Sequence, residues 1–153
     1  MTRWVADENK IQVYSWHEWV GITVFALTAV RLLWRLAHPA PPIAIPAWEK
    51  FTAAAVYVAM YLILIAQPIV GWLMSTAYGF PVVYLGVLPL PAPVAEDRAL
   101  AERLDQLHVT LAVTLALLFA AHLGGVLYHH LIRRDAVLNR MLPSVGPPSV
   151  DNA

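Results

Sequence analysis

Two long stretches of the sequence contain no acidic residue, lysine or arginine, and they most constrain how this chain can fold. Residues 53–74 lack Asp, Glu, Lys, Arg and His. Residues 106–132 lack Asp, Glu, Lys and Arg, although four His fall among them. A helix needs about 20 predominantly apolar residues to cross a bilayer core about 30 Å thick. Both stretches therefore predict transmembrane helices.

A third, shorter apolar stretch lies nearer the N-terminus. Residues 19–30 are uncharged, and a stretch of this length fits a buried core helix of a soluble domain equally well. Extending it to residues 15–36 gives a spanning length if Arg31 and Arg35 reach the headgroups or face a polar interior. We predict an all-α integral membrane bundle with three transmembrane helices, at about residues 15–36, 50–74 and 106–131.

The composition agrees with a membrane protein and excludes several classes of site. Apolar residues make up 59% of the chain and charged residues only 13%, where a soluble domain carries roughly 25% charged residues. Ten basic and ten acidic residues cancel, so we expect no nucleic-acid partner. The absence of cysteine excludes thiolate metal sites, iron–sulfur clusters and covalent c-type haem attachment.

The distribution of basic residues predicts the orientation of a single membrane domain that covers residues 1–153. With three spans, the first connection and the C-terminus share one side of the membrane. Six of the ten basic residues fall on that side: Arg31, Arg35, Lys50, Arg133, Arg134 and Arg140. The positive-inside rule then places the C-terminus in the cytoplasm of a bacterial inner-membrane protein and the N-terminus in the periplasm. The predicted outer parts are residues 1–14 and 76–105, and residues 133–153 form the cytoplasmic tail.

Two histidines lie at matching depths on different predicted spans. His17 begins the first span and His108 begins the third, and these spans run in the same direction, so both residues lie near the outer face. Gly21 and Ala112 follow them by one turn, where small side chains leave room for a flat ring against the helix. His122 lies 14 residues after His108, which is about 21 Å further along the same helix face, within about 40°.

The histidine spacing admits two interpretations. One His from each of two facing helices at equal depth is the arrangement that binds a haem iron through two axial imidazoles. Alternatively, His17 and His108 are interfacial residues at the helix starts, as Trp or Tyr often are. His122 has no evident mate, because Arg31 occupies the matching position on the first span, and Tyr57 and Met60 are the candidates on the second. The remaining three are expected at the membrane boundary: His38, His129 and His130.

Several segments occur together in the order found in a known family. They are Trp16-His17 with Gly21, residues 30–36, the stretch from His38-Pro39 to Pro42, Tyr61-Leu62 through Pro68 and residues 71–74, residues 79–82, Leu107-His108, His122, and His129-His130 through Pro143. On these segments the chain resembles the prokaryotic cytochrome b561 family, membrane electron carriers with haem b that include relatives of hydrogenase cytochrome b subunits. The resemblance runs from about residue 13 to residue 143.

The resemblance implies roles for the histidines. Members of the family usually have four spans and two b haems, and His17 and His108 match the pair that binds the outer haem. His122 matches a ligand of the haem on the cytoplasmic side. The family's first span has no counterpart here, and Tyr57 stands near the place of its third-span His. The resemblance therefore implies one haem b, with a second only if a partner chain supplies a ligand.

The expected function is one-electron transfer with a quinone or a redox partner subunit near the outer face, as a carrier subunit rather than a stand-alone oxidoreductase. Membrane lipid and a partner subunit are expected to cover the faces left by the missing helix. One alternative is a haem-free structural or accessory subunit of a larger membrane complex, derived from a cytochrome b561. Another is a two-haem protein completed by a second chain.

Overall fold

Three long helices dominate the fold. The computed structural model describes residues 7–38 and 46–133. In chain order its elements are α1 (Asp7–Ala37), α2 (Ala47–Ala77), β1 (Val83–Tyr84), β2 (Leu88–Pro89), α3 (Arg98–Leu127) and a π-helical turn (Tyr128–Arg133) that continues α3. The three long helices are each apolar and long enough to cross a membrane. The predicted helical membrane bundle is confirmed, with one short antiparallel hairpin added to it.

The helices extend further than the apolar stretches predicted. We expected the first span to begin at residue 15, whereas α1 begins at Asp7. Residues 96–105 were expected to form a short polar helix that leads into the third span, and α3 begins at Arg98. Polar residues can continue a helix beyond the bilayer core, and a 31-residue helix is about 46 Å long. The segments predicted as outer, residues 1–14 and 76–105, are therefore partly helical. Residues 134–153 of the predicted tail lie outside the described part.

The middle helix holds the other two in place. Helix α2 packs along both α1 and α3, whereas no Cα of α1 lies within 8 Å of a Cα of α3 among the described residues. Pro68 lies inside α2, and the helix continues through it. The backbones of α1 and α3 are therefore further from each other than either is from α2, and we call the gap between them the cleft.

The end of α2 and the start of α3 are joined by a backbone hydrogen bond. Gly79 follows the end of α2 with a φ of +82°, the left-handed conformation that commonly ends a helix. A Cβ at Gly79 would also lie 3.1 Å from the Glu96 carboxyl group. The backbone N–H of Asp97 donates to Ala77 O at 3.0 Å, and its side chain accepts from Leu100 N to cap α3.

The hairpin is hydrogen-bonded to α1 at Trp19 and Thr23. The indole N–H of Trp19 donates to Val83 O at 2.8 Å, and the hydroxyl groups of Thr23 and Tyr84 are 2.9 Å apart. Ser75 on α2 donates to Glu18 Oε1 at 2.7 Å. These three contacts fix the position of α1 beside the cleft.

Most large apolar side chains on the helices face outward. Val20, Leu27 and Leu33 of α1 are each more than 60% exposed, as is Leu62 of α2. Such a surface suits lipid tails, because the bilayer removes the need to hide apolar groups from water.

Candidate functional site

The imidazole rings of His17 and His108 face each other across the cleft between α1 and α3. Their ring centroids are 5.9 Å apart and the ring planes are inclined by 80°. The His17 residue is exposed, and His108 is partly buried. The structure therefore brings the two residues together from different helices, at the common depth that their positions in the sequence indicated.

His108 is held on one side by the central helix. The side-chain amide of Gln67 donates from Nε2 to His108 O at 3.0 Å. A Cβ built on Gly71, one turn further along α2, would lie 3.1 Å from Cε1 and 3.5 Å from Nδ1 of the His108 ring. No other atom of that ring lies within 4 Å of this position, so the Nε2 edge is turned away from Gly71.

Two buried polar atoms beside this contact have no hydrogen-bond partner among the described residues. They are Nδ1 of His108 and Oε1 of Gln67. Buried polar atoms are nearly always paired, so each orphan needs a physical explanation. They belong to two residues that are already joined by the hydrogen bond from Gln67 Nε2 to His108 O.

The cleft has room beside its other histidine. A Cβ built on Gly21, one turn after His17, meets nothing within 4 Å. Ala112, one turn after His108, is exposed. Packing of a flat ring against Gly21 and Ala112 stays a prediction.

The geometry fits a haem group held by two axial imidazoles. Haem iron has four porphyrin nitrogens and takes axial ligands above and below the ring. An iron between two imidazoles separates their centroids by roughly 6 Å, because a metal–imidazole nitrogen bond is about 2 Å long. The observed separation of 5.9 Å agrees. Among the described residues, no group of three or more His, Asp or Glu side chains is placed to hold a metal ion.

His122 lies at the other end of α3 without a comparable mate. It is partly buried, and within residues 7–38 and 46–133 no hydrogen bond, ion pair or ring contact joins it to another side chain. Tyr57, one of its candidate partners, instead packs against the Tyr61 ring at 4.7 Å between centroids. The described residues thus bring one histidine pair together, at the end of the bundle that carries the hairpin.

The histidines expected at the membrane boundary have defined neighbours. The ring of His38 stacks on Trp34 at 4.0 Å between centroids, at the end of α1. His129 Nε2 lies 3.8 Å from the buried Glu49 carboxylate, and Arg133 Nη1 lies 2.7 and 2.8 Å from its two oxygens. His129 is therefore part of a cluster with Glu49 and Arg133, where the start of α2 lies beside the end of α3. The side chain of His130 lies outside the described part.

Gln67 and Gly71 were not predicted from the sequence to be neighbours of His108. Gln67 is the only Asn or Gln in residues 53–74. A lone amide inside an apolar span is a signal, because polar groups in lipid pair with neighbouring helices. Gly71 carries no such signal by itself, since its importance depends on which residue α3 places beside it.

The chain is similar to several known proteins. The family model described as prokaryotic cytochrome b561 matches residues 1–144. Cytochrome b561 homolog 2 of Escherichia coli is 37% identical over 129 residues, covering 82% of this chain and 68% of the relative. Cytochrome b561 homolog 1 of the same bacterium is 33% identical, covering 83% and 73%. A probable superoxide oxidase, CybB, of Yersinia pestis is 29% identical, covering 80% and 70%.

Proposed function

The chain belongs to the prokaryotic cytochrome b561 family, and we propose that it is an electron carrier with one b-type haem between His17 and His108. The family consists of membrane b-type cytochromes, and its members bind b-type haem. The observation that supports this assignment best is the facing pair of imidazoles, 5.9 Å apart across a cleft that the helix backbones leave open.

The proposal gives four residues a role in binding the haem. His17 and His108 would hold the haem iron, and the Nε2 edge of His108, which is turned away from Gly71, would be the edge open to it. Gly21 leaves space beside His17, while Gly71 lets the His108 ring lie close against α2. The bound haem supplies one-electron chemistry at iron, and the low-polarity surroundings tune its potential. With both imidazoles bound to it, the group would supply electron transfer and not dioxygen binding.

We propose a single haem in each chain. Among the described residues His122 has no second imidazole beside it. A second haem at His122 would need a ligand supplied by another polypeptide. A single outer haem does not span the bilayer, so we place electron exchange on one side, with a quinone or a redox partner subunit.

The membrane setting follows from the helices and the basic residues. We propose a bacterial inner-membrane protein with a periplasmic N-terminus and a cytoplasmic C-terminus, which puts His17 and His108 near the periplasmic face. The exposed apolar side chains of α1, such as Leu27 and Leu33, would be covered by lipid and by a partner membrane subunit.

A haem-free accessory subunit is the competing function, and the isolated position of His122 favours it. Such a protein would keep the helix packing of the family without a redox role. The two proposals differ in one measurable property, the haem content of the purified chain.

The test is to purify the full chain from membranes and record its reduced-minus-oxidised spectrum together with the molar ratio of haem to protein. We expect a b-type band with a ratio near one, and reduction of that band by a quinol in detergent or vesicles. Absence of a b-type band would overturn the carrier proposal in favour of the accessory subunit. A ratio near two would contradict the single-haem version.

A further inference from the structure

We propose that Arg31 and Arg35 form a binding site for the phosphate group of an anionic lipid. The two arginines lie one turn apart near the end of α1, within the predicted span of residues 15–36. Arg31 follows His17 by 14 residues, which is about 21 Å along the helix. The site is therefore separate from the histidine pair, and the proposal does not depend on haem.

Neither arginine makes an ion pair or a side-chain hydrogen bond within the part of the chain that the structure describes. Glu49 is the one described carboxylate where α1 ends and α2 begins, and Arg133 Nη1 lies 2.7 and 2.8 Å from its two oxygens. The other described acids lie in the first half of α1 or near the start of α3. A charged side chain within a membrane span is costly unless it is paired. Two positive charges therefore need an anion.

The surroundings of the two arginines are polar on one side and apolar on the other. On the α2 side, the hydroxyl group of Tyr57 lies within electrostatic range of both guanidinium groups. Leu27 and Trp34, which share a face of α1 with Arg31, are exposed apolar side chains. The arginines thus lie at the border between α2 and the lipid-facing side of α1. An anion can reach them from the lipid, and Tyr57 can donate a further hydrogen bond to it.

The chemistry of the pair favours a phosphate group. Like charges one turn apart on a helix repel each other, and one anion bound between them removes that repulsion. The fork of N–H donors on a guanidinium group matches the oxygens of phosphate. Side chains also lean toward the N-terminus of their helix, which for Arg31 is toward the bilayer centre. A lipid phosphate drawn to this depth is the anion that the membrane itself supplies, and an anionic lipid has no headgroup cation to neutralise it.

The test is a titration of the full chain in detergent, followed by native mass spectrometry, with phosphatidylglycerol and with phosphatidylcholine of the same acyl chains. We expect the wild type to bind one phosphatidylglycerol about tenfold more tightly than phosphatidylcholine, because each basic residue near a membrane surface attracts anionic lipid. The double variant Arg31→Gln/Arg35→Gln should bind both lipids equally.

The matched control is Arg98→Gln/Arg103→Gln, which removes the same charge from exposed positions at the start of α3. It should keep the preference of the wild type for phosphatidylglycerol. A preference that persists in Arg31→Gln/Arg35→Gln, or that falls equally in both double variants, would overturn the proposed site.

A second measurement is reversible unfolding in mixed micelles with and without phosphatidylglycerol. A ligand that binds only the folded protein stabilises it, so this lipid should raise the unfolding midpoint of the wild type and of the α3 control, but not that of Arg31→Gln/Arg35→Gln. If that variant does not fold, the wild type decides the question, because equal stabilisation by phosphatidylcholine would overturn the proposal. Equal stabilisation by inorganic phosphate would overturn the lipid as the occupant.

Discussion

The imidazole planes of His17 and His108 stand at 80° to each other, nearly perpendicular, across the cleft between α1 and α3. The orientation is set from different sides. Gln67 and Gly71 of α2 contact His108, while the neighbours of His17 on α1 are tied to the hairpin and to Ser75. The relative angle of the rings is therefore set by how α1 and α3 pack against α2 and the hairpin.

This angle predicts the electron paramagnetic resonance spectrum of the oxidised protein. Perpendicular axial imidazoles leave two iron d orbitals nearly equal in energy, which gives a strongly anisotropic low-spin signal with one very large g value. Parallel planes split those orbitals and give a rhombic signal with three well-resolved g values. We expect the anisotropic signal from the purified ferric protein. A rhombic signal would show that the rings adopt a different angle when haem is bound.

Gly71→Ala should weaken haem retention without weakening the fold. The new Cβ would lie 3.1 Å from Cε1 of His108 and force that ring to move. In a helix interior alanine is more favourable than glycine by about 1 kcal/mol, so the substitution stabilises the helix itself. We expect transfer of haem to apomyoglobin to be about tenfold faster than from the wild type. Removing a contact that orients a metal ligand typically weakens metal binding by about 10–100-fold, and we take the lower value.

Gly124→Ala is the control for that experiment, because a Cβ at Gly124 meets nothing within 4 Å. Its haem transfer rate should equal that of the wild type. Equal rates for the two variants would mean that Gly71 does not set the position of the ring.

Glu49→Gln should destabilise the inner end of the bundle. The Glu49 carboxylate is 8% exposed and accepts two hydrogen bonds from Arg133, at 2.7 and 2.8 Å. Breaking a fully buried pair costs 3–5 kcal/mol, and the partial exposure of Arg133 reduces this to about 1–2 kcal/mol. Reversible unfolding in mixed micelles measures the difference.

The exposed ion pair between Arg98 and Glu102 at the other end of the bundle provides the comparison. Glu102→Gln should leave the free energy of unfolding within experimental error, because solvent screens such pairs. A loss as large in Glu102→Gln as in Glu49→Gln would contradict the burial argument.

Leu85→Asn should stabilise the outer hairpin. Leu85 and Gly86 are the central residues of a turn closed by Val87 N–H and Tyr84 O at 3.1 Å, and their φ values are 53° and 73°. Positive φ at both positions is typical of a type I′ turn, for which Asn-Gly is the favoured pair. We expect a gain below about 1 kcal/mol, because asparagine also has a Cβ and gains only from the local hydrogen bonds that its short polar side chain makes in the left-handed conformation. Slower hydrogen exchange at the Val87 amide would support this, and faster exchange would contradict it.

The sequence predicted the parts of this structure that depend on local composition. Two apolar stretches and a third interrupted by Arg31 were enough for three membrane helices. Equal depth on two parallel spans was enough to pair His17 with His108. The start of α1 was predicted less accurately, since the polar first turns of this helix carry no apolar signal.

Contacts between distant segments could not be predicted in the same way. Glu49 and Arg133 are 84 residues apart, and nothing in either local sequence indicates the other. Gln67 and Gly71 matter because α2 runs beside both of the other helices, which is a result of packing. The neighbours of His129 likewise follow from the π-helical end of α3 beside the start of α2.

The most direct test of the central claim is the haem content of three single variants of the full chain, His17→Ala, His108→Ala and His122→Ala. Each is purified in parallel with the wild type, and the molar ratio of b-type haem to protein is measured. We predict loss of the b-type band in the first two variants and an unchanged ratio in His122→Ala. Retention of the band in both His17→Ala and His108→Ala would contradict the ligand assignment on which this account is built.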